Sequence, residues 1–286
     1  FGEGPGVGFS QEYHAMSSTD QGYIMELMTV REMREAQSKT RTVILPVGVI
    51  EQHGYHLPLN TDVYNAYEIA KRVALVAGCV VAPPIAYSFS GGELLGTTDI
   101  SPQTLSLLVM DVIKSLANQG FLNIIVLLGH GGSENQRAAL DAADMFLRRN
   151  RRYRDVRIAA VPFTELAPSV QEAFAMKDFH AGYLETSLML YWHPELVRPR
   201  ELWVTDKEEL MELFRRDQDA YQVHTRPADH PLVMPVITQH PEIEVGVMGD
   251  PSQANAGFGE KVCREAVQSL VELIRKMEAS PPSEVT

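Results

Sequence analysis

The sequence predicts an α/β fold with a mostly parallel sheet covered by helices on both faces. Three observations carry this expectation. Short apolar, β-branched runs recur at 43–50, 79–83, 123–128 and 156–161, each the length of a strand buried on both faces. Segments with helical spacing of apolar residues separate the runs, and such alternation with right-handed crossovers gives parallel strands. Glu51, His53 and His130 follow two of the runs directly, where open α/β sheets place their sites.

The chain has 286 residues, 45% of them hydrophobic, and a net charge of -12. That is enough for a substantial core in one or two domains. The expected organisation is an arm at 1–22, one catalytic domain at 23–279 and a disordered tail at 280–286. The acidic balance argues against a nucleic-acid partner. Arg148, Arg149, Arg151, Arg152 and Arg154 form the one basic cluster, which reads as a solvated helix end. No apolar run approaches the roughly 20 residues of a membrane span, and FGEGPGVGFS lacks the basic and apolar regions of a signal peptide. Cys79 lies in a strand-like run and Cys263 in a helical one, which makes no disulfide framework. The expectation is a soluble cytoplasmic protein with no nucleic-acid and no membrane partner.

In order along the chain, Thr29 and Glu32 form a capping-box pattern that opens a short helix to about Gln37. After the first strand, Ala66, Ile69, Ala70, Val73 and Leu75 mark a helix over 62–76, with Gly78 as its stop. The strand at 79–83 leads into YSFSGGELLGTTDIS, a loop without regular period of the kind that shapes pockets. Ser101 and Pro102 supply an N-cap and a first-turn proline for a helix to Asn118, closed by Gly120. Strand 123–128, helix 134–148 and strand 156–161 repeat the unit, and DFHAGYLETS at 178–187 opens a helix ending near Trp192. Thr205 to Tyr221 reads as a charged amphipathic helix with a second capping box, Thr205 and Glu208. His224, His230 and His240 match no common metal spacing and read as surface or substrate-loop histidines. GVMGDPSQANAGFG reads as a structural turn before a last helix to about Met277.

If the strand geometry persists past Ile50, Glu51 and His53 leave the same face. A loop containing Gly54, Pro58 and Asn60 folds Asp62 back to them. Carboxylates with imidazole select zinc, manganese or iron, and one carboxylate can bridge two ions. The competing reading makes Glu51 and His53 solvent-facing loop residues. His130, among Gly129, Gly131, Gly132 and Ser133, holds the same topological position, against the default of a core histidine. His180 and Glu185 share a pocket if the segment bends around Gly182. Asp178 either fixes the tautomer of His180 or caps the helix, and both readings stay open. Nucleophilic hydrolysis by Ser133 or Cys79 lacks the G-x-S-x-G elbow.

LPVGVIEQHGYHLPLNTD, GHGG, DFHAGYLETS and GVMGDPSQAN, in this order, resemble the creatininase (creatinine amidohydrolase) family from about Met25 to the last helix. The resemblance implies a three-layer α/β/α sandwich, a homo-oligomer, often a hexamer built as a trimer of dimers, and two divalent ions, zinc first with manganese or iron as alternatives. It implies Glu51, His53, Asp62 and His130 as metal ligands, with Asp62 as the bridge, and His180 with Glu185 as the catalytic pair. Gly132 stands where creatininase proper has a glutamate, so the fifth ligand falls to Glu185 first and Glu134 as rival. The implied reaction is attack by a metal-activated hydroxide on a non-peptide C–N bond of a small, cyclic or linear, amide. His180 would donate the proton to the leaving nitrogen. Gly91 and Leu95 replace the histidine and proline that many relatives carry, which separates membership from the creatinine substrate. The alternatives are a formamide deformylase, a peptidase or a lactonase on the same site, or a non-catalytic, metal-stabilised oligomeric binding protein.

Overall fold

The computed structural model of the chain describes residues 22–149 and 151–280. The arm and the tail expected from the sequence lie outside these residues, apart from Gly22 and Ser280. Five strands form one sheet: β1 (Tyr23–Ile24), β2 (Thr42–Val47), β3 (Val80–Val81), β4 (Asn123–Leu128) and β5 (Arg157–Pro162). Their order is β1-β3-β2-β4-β5, and every neighbouring pair is parallel. Between and after them come α1 (Val30–Lys39), α2 (Thr61–Ala77), α3 (Pro102–Asn118), α4 (Ser133–Arg149), α5 (Pro168–Ala175), α6 (Tyr183–Trp192), α7 (Glu208–Arg216) and α8 (Ala256–Ala279).

The period of two along each strand divides the core into two layers. Ile44, Ile125 and Leu127 face α2, α6 and α8, where they meet Ile69, Val73, Leu188 and Leu270. Val43, Leu45, Ile124 and Val126 face the opposite side, against Ala36 of α1, Val109 and Ile113 of α3 and Phe146 of α4. All residues of β2 and β4 are buried, so helices cover both faces and the fold is an α/β/α sandwich. Each fully buried aliphatic side chain contributes roughly 1.5–3 kcal/mol by leaving water.

Local signals explain most boundaries. The Thr29 box forms as expected, with Thr29 Oγ1 accepting from the Glu32 backbone and the Glu32 carboxylate accepting in return. Ser101 accepts from the Thr104 N–H ahead of Pro102, and Gly78 closes α2 at φ 68. Other boundaries differ from expectation. β2 ends at Val47, because Gly48 and Ile50 turn away to donate to Ile85 and Ala86, and the Ile50 carbonyl accepts from Thr98. β3 holds two residues rather than 79–83, since Pro83 and Pro84 have no N–H for a ladder. The second capping box does not form. Asp206 instead accepts from the N–H groups of Glu244, Val245 and Gly246, and the helix expected over 205–221 is confined to α7.

Four elements, β1, α5 and the two strands of a hairpin, carried no recognised sequence signal. α5 follows β5, and β6 (Gln222–Thr225) with β7 (Val236–Gln239) forms an antiparallel hairpin within the histidine-rich passage. Its strands, QVHT and VITQ, are polar or exposed and show no core-facing alternation. The start of α2 rests directly on the strand ends. A Cβ at Gly129 would lie 1.9 Å from the Asp62 carbonyl, and one at Gly48 would lie 2.5 Å from the Val63 nitrogen. Only residues without side chains allow that approach, and it sets Asp62 beside the residues that follow β2 and β4.

Candidate metal centre

Glu51 and His53 follow β2, Asp62 sits in the first turn of α2, His130 follows β4, and Glu185 sits in the first turn of α6. All five converge at the carboxyl end of the sheet, in or beside a cavity of about 760 Å³. Three clusters each bring their ligand atoms within 4.8 Å of one another: Glu51 with Asp62 and His130, His53 with Asp62 and Glu185, and Glu51 with His53 and His180. Asp62 belongs to two of them. Its Oδ1 lies 3.4 Å from His53 Nε2 and its Oδ2 lies 3.2 Å from His130 Nδ1. His53 Nε2 is also 3.6 Å from Glu185 Oε2, and His130 Nδ1 is 3.1 Å from Glu51 Oε2.

These separations suit donors around a shared ion. Two donors held at about 2.1 Å from a tetrahedral ion lie about 3.4 Å apart, and direct N–H···O bonds run shorter, with a mode of about 2.9–3.0 Å. Glu51 Oε2, His53 Nε2 and Asp62 Oδ2 are buried without a hydrogen-bond partner among the described residues, a costly state that a divalent cation relieves. The donor set of carboxylates and imidazoles matches zinc, manganese or iron. The residues fit the group.

Neighbouring side chains fix the donors. His53 Nδ1 donates to the Glu51 carbonyl at 3.1 Å, which leaves Nε2 as the acceptor facing the cluster. Ser90 Oγ donates to Glu51 Oε1 at 2.7 Å. Glu185 Oε1 accepts from Asn65 Nδ2 at 2.9 Å and Oε2 from the Ala181 N–H at 2.7 Å. Ala181, at φ 53, provides the bend expected at Gly182, and left-handed backbone of this kind on a non-glycine residue is strained. The bend brings His180 to 4.4 Å from the His53 ring, with Nε2 donating to the Gln52 carbonyl at 2.8 Å.

Electrostatics shows the same demand for positive charge. Burial opposes ionisation of Glu51, yet the charges of His130 and His180 hold its pKa well below the usual range. Burial likewise opposes protonation of His53 and His130. Asp62 with Glu185 in one case, and Glu51 with Asp62 in the other, raise their pKa well above the usual imidazole value. Without a cation, imidazolium supplies the charge these carboxylates require.

The remaining candidate residues lie outside the three clusters. Asp178 caps α6, accepting from the N–H groups of Tyr183 and Leu184 at 2.8 and 2.7 Å. Glu134 is exposed, accepts from Ser133 Oγ and belongs to none of the three clusters, although it lines the cavity. Cys79 is buried, with its thiol pushed up to about 12 by burial. Met248 exchanges backbone hydrogen bonds with Phe179 and His180, so the 246–249 turn supports the site as structure. The sequence reading missed Ser90, Asn65 and Gln52. Asn65 follows Asp62 by three positions on one helix face, a usable signal.

A sequence model of the creatininase family, described as creatinine amidohydrolase, matches residues 26–274. The chain belongs to the creatininase family. Within the family it is 33% identical over 251 residues to a mycofactocin precursor peptide peptidase of Mycolicibacterium smegmatis, covering 85% of this chain and 88% of that one. It is 29% identical over 258 residues to creatinine amidohydrolase of Pseudomonas putida, covering 84% and 90%. Similarity extends to a 3-dehydro-scyllo-inosose hydrolase of Thermotoga maritima, 26% identical over 275 residues, covering 90% and 82%. A solved structure titled "Creatininase Mn" superposes with a TM-score of 0.70 at 25% identity, covering 91% of this chain and 100% of that one. A glutamate-to-glutamine creatininase mutant of "Zn-Zn type" does so at 0.69 and 25%, covering 90% and 98%. The creatininase fold and the clustered donors together fit a metal-dependent amidohydrolase.

Proposed function

We propose that the protein hydrolyses the C–N bond of a small amide with two divalent ions, zinc first among them. The observation that carries this reading is Asp62, whose two oxygens face two separate imidazoles in two separate ligand clusters. Glu51, Asp62 and His130 would hold one ion, and His53, Asp62 and Glu185 the other. Bound ions of this kind polarise a carbonyl and make water nucleophilic near neutral pH.

The chain's own residues supply the rest. His180 is tied through Nε2 to the Gln52 carbonyl, which leaves Nδ1 to pass a proton to the departing nitrogen. Glu185 lies 4.0 Å from that Nδ1, close enough for its charge to favour the protonated ring though too far for a hydrogen bond. Water is consumed: the carbonyl carbon gains its oxygen, the nitrogen gains both its protons, one of them through His180, and the products are a carboxylate and an ammonium group. Gly91 and Leu95 stand off the cavity wall, which the same loop lines with Ser90, Gly92 and Leu94. We further propose one catalytic unit over 23–279, cytoplasmic and hexameric in the manner the family resemblance implies.

The test is activity against a panel of cyclic amides, linear amides and formamides before and after chelation. Activity lost on chelation and regained with zinc or manganese is the expected result, and full activity in metal-depleted protein would overturn the mechanism. His180→Ala should retain both ions and lose roughly 10²–10⁴ in kcat.

A further inference from the structure

The cavity is far larger than its reactive floor requires. At about 760 Å³ it falls well within the range that binds extended, drug-sized ligands, and one small ring amide would leave most of it to water. Its wall is also one-sided in charge. No lysine or arginine lines it among the described residues, whereas Glu134, Glu165 and Asp219 do, in addition to the carboxylates of the floor.

The two sets of acids differ in surroundings. Glu51, Asp62 and Glu185 are buried, face imidazoles, and leave Glu51 Oε2 and Asp62 Oδ2 without hydrogen-bond partners among the described residues. Glu134, Glu165 and Asp219 are exposed to the cavity side. They come from three separate segments: the first turn of α4, the 3-10 turn that follows β5 and the turn after α7. None forms an ion pair with a described residue, and all three line the cavity. Side-chain amides of Gln171, Gln218 and Gln222 lie on the same wall, and they offer donors and acceptors to a polar chain without adding charge. Tyr221 senses the field directly. Burial, then the charges of Glu134, Asp219, Glu51 and Asp99, push its hydroxyl up to about 12.

We propose that this cavity takes a linear amide whose far end carries an ammonium or guanidinium group, with Glu134, Glu165 and Asp219 selecting that positive charge. The inference rests on the amidohydrolase reading for the reaction at the floor, while the charge preference is a property of the wall. Exposed single charge pairs are worth little, but acids on a wall without lysine or arginine among the described residues give about a tenfold preference at low salt.

Three probes with the same spacer test it on the metal-loaded full chain by calorimetry: N-(4-aminobutyl)acetamide, N-pentylacetamide and 5-acetamidopentanoate. The expected order of affinity is cationic, neutral, anionic, with about tenfold between the extremes and a gap that closes as salt is raised. Glu165→Gln combined with Asp219→Asn should reduce that gap to about twofold or threefold. Both side chains are exposed, so the variant should fold, and its melting temperature checks this. Failure of the cationic probe to bind ahead of the anionic one, including binding by neither, would overturn the proposal. Cleavage is read separately: the expected order of binding without hydrolysis of any probe would overturn the amidohydrolase reading and leave the charge preference standing.

Discussion

Asn65 shows how much of the site depends on residues that touch no substrate. Its amide donates to Glu185 Oε1 and to the Gly129 carbonyl, joining α2 to α6 and to the end of β4. Asn65→Leu would leave a buried carboxylate oxygen unsatisfied, and loss of such a supporting partner costs about 10- to 100-fold in metal affinity. Metal titration of Asn65→Leu should therefore show one weakened site, the one containing Glu185, and one intact. Asp178 has a different role from the one its position beside His180 suggests. It satisfies two N–H groups at the start of α6, so Asp178→Ala should cost about 1–3 kcal/mol. Thermal or urea unfolding would measure this, and unchanged stability would contradict the capping role.

At the scale of elements, most strands and helices that build the core were legible because burial imposes a period, whereas β1 and α5, which add Ile24, Val170 and Ala173 to it, were not. β4 coincides with its expected bounds, and the apolar face of α2 was readable residue by residue. The candidate ligands after β2 and β4, Glu51, His53 and His130, stood out for the same reason, since a strand end in an open sheet points at the site. Residues whose partners are remote in sequence were not legible. Ser90 reaches Glu51 across 39 positions, and Asp206 is taken from its expected helix by backbone groups near 245. The hairpin β6–β7 has no apolar face to announce it. His56 is a related case. It is buried against Thr186, joining the loop after β2 to α6, and burial, followed by the charge of His53, lowers its pKa to about 4. The unfolded chain accepts this proton near 6.5 and the folded one refuses it until about 4, so stability falls as pH drops through that window. His56→Gln should flatten the acid limb of melting temperature against pH, and an unaltered limb would contradict the assignment.

For the whole molecule, the metal-free protein and the loaded one should respond to pH in opposite ways. His53 and His130 have raised pKa values when no cation is present, so the folded metal-free chain binds more protons than the unfolded chain above the ordinary imidazole range. Its stability is fully present below about 6.5 and is lost as pH rises through the raised values. Bound ions displace these protons and carry the positive charge themselves. Metal uptake in weakly buffered solution should release protons, and apparent affinity should rise with pH. Loading should also raise the melting temperature, because the ions bind only the assembled site.

The account depends most on Asp62 serving two ions at once, and equilibrium metal titration of the wild type beside Asp62→Asn tests it most directly. The wild type should take up two zinc or manganese ions per chain, and Asp62→Asn should lose tight binding of both while remaining folded. Uptake of a single ion by the wild type, or two retained by Asp62→Asn, would contradict it.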